Sequence, residues 1–321
     1  MSGTRLTQPM EWEWHVSVVC QNEAARIEGC LASISKAIGS RRALVTLNVN
    51  GSTDDSEAVA QRTAQACGMA LQVYRTQAAD KSNALNQFIY VQREPARMYA
   101  FVDGYVRISP SALQDLDACL AAHPYALAAT GVCVNGRSMA AATSATLKQG
   151  GRLHGQLHAL RPEFLNRMVE QGARLLIGLY WGDGLMGSMA MHNLNAVGWA
   201  WDTNRIVGVA SATYEITALS MFKRRDLERQ FRRKLRQMRG RLQNEAIKEV
   251  IYRDGYAALP SDADDLVRSY LSRHSPPAVP ILDRPFMALM LRQFRTARKP
   301  SPASLVPQRI ASPISRGTMA A

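Results

Sequence analysis

At 321 residues, with 47% hydrophobic and 20% charged side chains, the chain can bury a sizeable core and lacks the polar composition of a disordered protein. No run reaches the roughly 18 apolar residues that span a bilayer. The start, MSGTRLTQPMEWEWH, holds no apolar stretch followed by a small-residue cleavage site, so a cytoplasmic location is expected. The formal charge of +13 is uneven: residues 223–241 carry ten Lys and Arg against two acids, residues 292–321 carry six against none, and the remainder is close to neutral. A neutral body with one basic helix and one basic tail argues for a local anionic partner and against a surface built for specific nucleic-acid binding. The cysteines Cys20, Cys30, Cys67, Cys119 and Cys133 form no C-x-x-C pair and read as plain buried thiols.

From Trp14 onward short apolar runs alternate with helical patterns. HVSVVC (15–20) is β-branched and continuous, as suits a strand buried on both faces. A helix opening at Asn22-Glu23 follows, with Ile27, Leu31, Ile34 and Ile38 at helical spacing. ALVTLNV (43–49) is the second strand, and the next turn offers Ser52, Thr53 or Asp54 as the N-cap of a helix closed by Gly68. MALQVY (69–74) reads as the third strand, Lys81 to Gln92 as the third helix and RMYAFVD (97–103) as the fourth strand. SPSALQDLDACLAAH then gives a Pro-started helix and YALAATGVCV (125–134) a fifth strand. Four consecutive β-α units imply an α/β fold, a mostly parallel sheet with helices on both faces.

Beyond Asn135 the regularity loosens. RLHGQLHAL (152–160), a helix near 162–171, RLLIGLYW (174–181), a helix opening at Gly182-Asp183-Gly184 and RIVGVAS (205–211) read as additions to the same sheet. Helices are expected near 220–253, 262–273 and 283–298. The resulting division is an N-terminal arm (1–13), a first half-domain (14–135), a second half of the same domain (136–219), a helical extension (220–298) and a disordered basic tail (299–321).

Open α/β sheets bind ligands outside the carboxyl ends of their strands. The residues there are Gln21, Asn22 and Glu23 after the first strand, Asn50 to Asp54 after the second, Asp80 to Asn83 before the third helix, and Asp103 after the fourth. No G-x-G-x-x-G follows the first strand and no G-x-x-x-x-G-K-[ST] occurs, which removes the usual phosphate cradles of hydride transfer and P-loop hydrolysis. Amides, hydroxyls, one lysine and few acids suit a nucleotide, with Lys81 near phosphate and a carboxylate for a bridging divalent metal.

Four stretches in this order and spacing, VSVVCQNEAARIEGCLASI, NVNGSTDDSEAVA, KSNALNQFI and FVDGYVRISPSAL, resemble the nucleotide-sugar-binding half of family 2 glycosyltransferases, which have the GT-A fold. The match covers about 14–135 and extends loosely to about 214. The resemblance implies that Asn22, Glu23, Asn50, Ser52 and Asp54 line the base and ribose, and that Lys81 and Asn83 lie on the diphosphate side. It makes Asp103 the first acid of a DxD motif that binds Mg2+ or Mn2+ and screens the leaving nucleoside diphosphate. Here the motif reads Asp103-Gly104-Tyr105, and Val49-Asn50 replaces an acidic pair found in many relatives. WGDGLMG (181–187) resembles the acidic motif that opens an acceptor-side helix, with Asp183 as general base; the same carboxylate could instead be an N-cap. Gln237-Met238-Arg239-Gly240-Arg241 is faintly similar to a Q-x-x-R-W motif, which puts Arg239 at the diphosphate, a solvated helix face being the plain alternative.

The basic helix also suits an anionic membrane or a phosphorylated carrier, placing the protein peripherally at the inner face of a membrane through residues 223–241. His154 and His158 stand four apart without the Glu of H-E-x-x-H, so zinc is not expected; His192 could face a metal or acceptor, or simply pack. Trp12, Trp14, Trp199 and Trp201 are candidates for stacking on a sugar, or for the core. The expected function is transfer of a sugar from a nucleotide-sugar to the hydroxyl of a glycan, lipid-carrier or small-molecule acceptor, with inversion. The alternatives are a GT-A-fold binding or scaffold protein that has lost catalysis, and a nucleotidyltransferase.

Overall fold

A computed structural model describes residues 12–135, 147, 150–198, 201–216, 224–296 and 299–311, with backbone alone for 224–230, 295, 296 and 311. The expected β-α alternation is present: β1 (Trp12–Cys20), α1 (Ile27–Ile38), β2 (Ala43–Asn50), α2 (Ser56–Ala66), β3 (Leu71–Thr76), α3 (Lys81–Gln87) and β4 (Ala96–Asp103). These are followed by β5 (Arg107–Ile108), α4 (Ala112–Ala122), β6 (Ala128–Cys133), β7 (Leu157–Leu160), α5 (Pro162–Glu170), α6 (Gly182–Met191) and β8 (Ile206–Glu215). Three further helices, α7 (Arg224–Asp254), α8 (Ala263–Leu271) and α9 (Arg284–Thr296), precede the last strand, β9 (Gln308–Ala311).

The strands form one sheet in the order β5-β8-β6-β7-β4-β1-β2-β3-β9. β4, β1, β2 and β3 are mutually parallel, whereas β7 runs antiparallel to both β4 and β6. The chain winds outward from β1 through β2 to β3, then returns to the other side of β1 as β4. That reversal makes the β1/β4 boundary the topological switch point, and Val19 pairs with Asp103 at its carboxyl end.

Both faces of the sheet are covered, which is why its inner strands are continuously apolar. Along β4, Tyr99 and Phe101 join one core with Phe88, Ile89 and Phe164, while Met98, Ala100 and Val102 join the other with Ile27, Leu31 and Ile34. Ile27, Leu31 and Ile34 are fully buried, each contributing roughly 1.5–3 kcal/mol. His15, expected simply as part of a strand, is a core residue: it accepts from the Glu94 amide through Nδ1 (3.0 Å) and meets Thr46 Oγ1 through Nε2 (2.7 Å).

Four expectations are corrected. RLLIGLYW is not a sheet strand; only Ile177 forms a bridge, to Asp262. Side chains satisfy its backbone instead. Asn86 bonds both the amide and the carbonyl of Leu175 (3.0 and 2.8 Å), Asp80 accepts from Gly178 N (2.6 Å), and Gln243 receives Tyr180 N and donates to Gly178 O. The segment is apolar because it packs into the core, not because it pairs. The tail is ordered up to Ala311: a short turn at Pro302–Leu305 leads into β9, antiparallel to β3, with Ala78 N on Ser304 O (2.9 Å). Residues 312–321 lie outside the described residues. The first helix begins at Ile27, because residues 21–26 form a turn tied to the β2–α2 loop. All five cysteines are free thiols, but Cys67 is exposed and Cys119 half-buried, so plain burial holds only for Cys20, Cys30 and Cys133.

Candidate functional site

The carboxyl ends of β1 and β4 open into a cavity of about 590 Å³. Cys20, Gln21 and Glu23 form one wall, Asp103 and Tyr105 the floor, Lys81 and Ser82 the start of α3, and Tyr180, Trp181 and Asp183 the far side; Arg236 reaches in from α7. Backbone geometry explains the glycine of the Asp-Gly-Tyr motif. Gly104 donates to Val19 O (2.9 Å), and a Cβ there would lie 2.6 Å from Cys20 Cβ, so β1 and the motif approach closely only with glycine.

Asp103 is buried, and its carboxylate is ion-paired with Lys81 Nζ. Burial disfavours the Lys81 ammonium, but the Asp103 charge and hydrogen bond outweigh it, so its pKa stands above the ordinary lysine value. Tyr105 stands two residues after Asp103, where the resemblance to family 2 glycosyltransferases leads one to expect a second acid. Burial, reinforced by the Asp103 charge, pushes its phenol well above the usual range, so it remains a protonated donor. Its hydroxyl lies 3.5 Å from Gln156 Nε2, and Tyr214 donates to Gln156 Oε1 at 3.3 Å. The Arg26 guanidinium sits 5.6 Å from the Tyr105 ring centre and also holds Glu23 at 2.5 Å. Glu23 has a raised pKa because desolvation outweighs Arg26.

Asp183 lies in the first turn of α6. The helix is capped by the backbone of Trp181 without a side-chain cap, so Asp183 is not the N-cap; it accepts from Gly155 N at 3.2 Å. A second cavity of about 770 Å³ adjoins the first, and Gln156, Leu179, Trp181 and Asp183 line both. Its other walls are Leu153, Leu185, Ile247 and Ile251, with Trp201, Tyr252, Arg152 and Lys248.

The remaining predicted residues divide. Glu23, Asn50, Lys81, Asp103 and Asp183 line the first cavity. Asn22, Ser52 and Asp54 stitch the loops after β1 and β2 together: Asn22 N bonds Ser52 Oγ (3.0 Å), Thr53 N bonds Asn22 Oδ1 (2.8 Å) and Ala24 N bonds Asp54 Oδ2 (2.9 Å). Asn83 is turned to the C-terminal segment, donating to Leu305 O at 2.8 Å. Arg239 is ion-paired with Asp264 and lies 4.9 Å from the Phe294 ring centre, clamping α7 to α8 and α9. Arg236, three residues earlier, reaches the cavity instead. No local rule in that arginine-rich helix separates the two; only the partner Asp264, far along the chain, does. Trp181 and Tyr180 were also missed as aromatic walls, although both lie within an apolar stretch next to WGDGLMG.

Among the histidines, His158 stacks on Phe101 (4.9 Å, 4° between planes) and bonds His154 O (2.9 Å); burial lowers its pKa to about 3. His154 also titrates low through burial. His192 packs: it bonds Tyr256 OH at 2.9 Å and meets the Trp201 edge. Trp12 is half-buried against the core, and Trp14 is buried, donating to Asp117 (3.0 Å). Trp199 lies outside the described residues. No three His, Cys, Asp or Glu side chains converge as a metal cluster among the described residues. No described helix is long and apolar enough to cross a membrane.

A mostly parallel sheet with an antiparallel insertion between β4 and β6, and a polar cleft at the β1/β4 switch point, is the GT-A fold. Among solved structures, the chain is similar to the mannosyltransferase PcManGT of Pyrobaculum calidifontis in complex with GDP-Man and Mn2+. That similarity has a TM-score of 0.56 and 20% identity, over 92% of this chain and 78% of the other. It is similar also to residues 1–349 of S. aureus TarS in complex with UDP-GlcNAc, with a TM-score of 0.55 and 17% identity, over 88% of this chain and 80% of the other. No family model and no curated protein matches the sequence.

Proposed function

We propose that the protein transfers a sugar from a nucleotide-sugar donor to an acceptor hydroxyl. The observation that carries this reading is the position of Asp183, on the wall shared by two cavities. One cavity has Lys81, Arg236 and Asp103 for a diphosphate at the switch point; the other is mainly apolar and aromatic, suited to an acceptor's ring or chain. In the reaction, the acceptor oxygen gives its proton to the Asp183 carboxylate and bonds the anomeric carbon from the side opposite the leaving group. The bond from that carbon to the diphosphate oxygen breaks, its electron pair leaves on the nucleoside diphosphate, and configuration inverts. Lys81 and Arg236 supply positive charge for the leaving group, and Tyr105 a neutral hydroxyl donor. Glu23 and Asn50 lie on the nucleoside side of the cavity.

Mn2+ accompanies the donor in the Pyrobaculum structure. In this chain Asp103 is the carboxylate at the end of β4 that would hold a divalent ion, and Lys81 already pairs with it. One carboxylate plus diphosphate oxygens and waters is within the range of Mg2+ sites, so these residues fit an ion that enters with the nucleotide rather than one held beforehand. Such an ion would screen charge on the leaving diphosphate.

The test combines calorimetric binding of UDP and GDP with release of nucleoside diphosphate from UDP-Glc, UDP-GlcNAc and GDP-Man across acceptor mixtures. Asp183→Asn should retain donor binding and lose transfer. Tyr105 in place of a second acid favours one other reading, a binding protein on the same fold, and binding without turnover for every donor would establish that reading instead. Failure of any nucleoside diphosphate to bind would reject both.

A further inference from the structure

Beyond the two cavities, the helical extension carries a surface that glycosyl transfer does not use. The turn Ile281–Asp283 projects two adjacent apolar side chains into solvent, Ile281 at 75% and Leu282 at 84% exposure. Its third residue faces the opposite way: Asp283 is buried, held by Lys234 (2.8 Å) and approached by Arg241 (3.8 Å) from α7. An ion-paired root and a preceding Pro276-Pro277-Ala278-Val279-Pro280 run thus hold an apolar tip outward. Isolated exposed apolar residues are ordinary, but this pair has company. Phe231, 49% exposed, packs its ring 5.5 Å from Phe286, and Leu289 follows on the exposed face of α9 with Pro285 and Arg292 at positions i, i+4 and i+7 from Pro285.

Cations stand beside this tip. Arg284 follows it directly and is exposed, Lys234 and Arg241 reach its root from α7 with the exposed Arg233 beside Lys234 in the chain, and across 231–241 and 281–294 the single acid is the buried Asp283. An apolar wedge ringed by one sign of charge matches a layer that is apolar inside and anionic at its surface. We propose that this face docks on an anionic lipid surface, with Ile281 and Leu282 entering the headgroup and acyl boundary and the arginines meeting lipid phosphates. The basic stretch alone would predict charge attraction; the structure adds the inserted pair and so separates docking from a diffuse ionic contact.

The experiment is co-sedimentation of the full chain with vesicles of phosphatidylcholine alone or with about one third phosphatidylglycerol, at low and at about 1 M salt. Wild type should sediment with the anionic vesicles only. Ile281→Asp/Leu282→Asp and, separately, Arg233→Glu/Arg284→Glu should each weaken partitioning by about tenfold or more. High salt should weaken wild-type binding, and the residual binding should still depend on Leu282. Both pairs are exposed, so far-ultraviolet circular dichroism should match wild type. The proposal is overturned if wild type ignores anionic vesicles, or if the Asp pair sediments like wild type. It is equally overturned if wild type is instead a dimer that Leu282→Asp dissolves, which would make the face an interface between copies. Calorimetric nucleoside diphosphate binding on the same preparations keeps the two readings apart. It should be unchanged in the Asp pair, and its failure in wild type would count against glycosyl transfer while leaving membrane docking intact.

Discussion

Replacing Lys81 by Met tests the charge logic of the site most directly. In the free protein the ammonium pairs with Asp103, whose side chain is 9% exposed, while the Lys81 side chain keeps 43% exposure. A charge-assisted hydrogen bond to phosphate contributes about 1.5–3 kcal/mol when buried. With Lys81 partly solvated, about 1–2 kcal/mol is the appropriate scale, or roughly 5–30-fold in Kd. Lys81→Met should therefore weaken UDP or GDP binding by that factor in EDTA and leave the corresponding uncharged nucleoside unaffected. The same substitution frees the Asp103 carboxylate, so added Mn2+ should restore more affinity to the variant than to wild type. Because the Lys81 pKa is raised above its ordinary 10.5, its ion-pair contribution is fully present below that value and is lost only as pH climbs through the raised one. Diphosphate affinity should thus show no Lys81-dependent fall between neutral pH and about pH 10. Equal UDP affinity of wild type and Lys81→Met in EDTA would refute the assignment of Lys81 to the diphosphate.

Three further outcomes follow from named contacts. Asp183→Asn should lower transfer by about 10²–10⁴-fold with donor Kd unchanged, as steady-state rates and calorimetry would read; a fall in donor affinity alone would make Asp183 a binding group. His15 and His158 are buried with pKa values near 3. Their depressed values mean that the unfolded chain takes up protons first, so stability should fall as pH drops below about 6.5, each contributing up to about 1.4 kcal/mol per pH unit. Denaturant midpoints between neutral and acid pH would measure that slope, and a flat profile would contradict the burial of both rings. Asn86→Ala orphans the amide and carbonyl of Leu175, at about 1–3 kcal/mol per unsatisfied group. The midpoint should drop accordingly, with proteolysis appearing first within 174–181.

The regular half of the fold is legible because each strand is continuously apolar and each helix keeps its period, signals that depend on local burial alone. Where reading failed, burial came from elsewhere. RLLIGLYW is apolar like a strand, yet its hydrogen bonds are made by Asn86, Asp80 and Gln243, residues up to 98 positions away. The polar tail QRIA pairs with β3 because that edge is open, and an edge strand offers its backbone to any extended segment, which composition does not reveal.

The same limit applies to the site. Topology alone delivers Asp103, Lys81 and Asn50 to one sheet edge, since strand ends and the switch point follow from the β-α order. Whether a polar side chain at that edge faces the cavity or ties two loops together depends on its partners. Asn22, Ser52 and Asp54 look like nucleotide contacts in sequence, but their hydrogen bonds tie the loop after β1 to the loop after β2, which shapes the wall of the cleft. Arg236 and Arg239 differ in the same way: an acid on α8 claims Arg239, and the arginine one turn earlier is left facing Tyr180 and the cleft. The altered motif Asp103-Gly104-Tyr105 then has a physical meaning. Lys81 balances the Asp103 carboxylate and Tyr105 remains neutral, so the motif itself carries little net negative charge; on the proposed reading, a diphosphate would then approach it without a metal already in place.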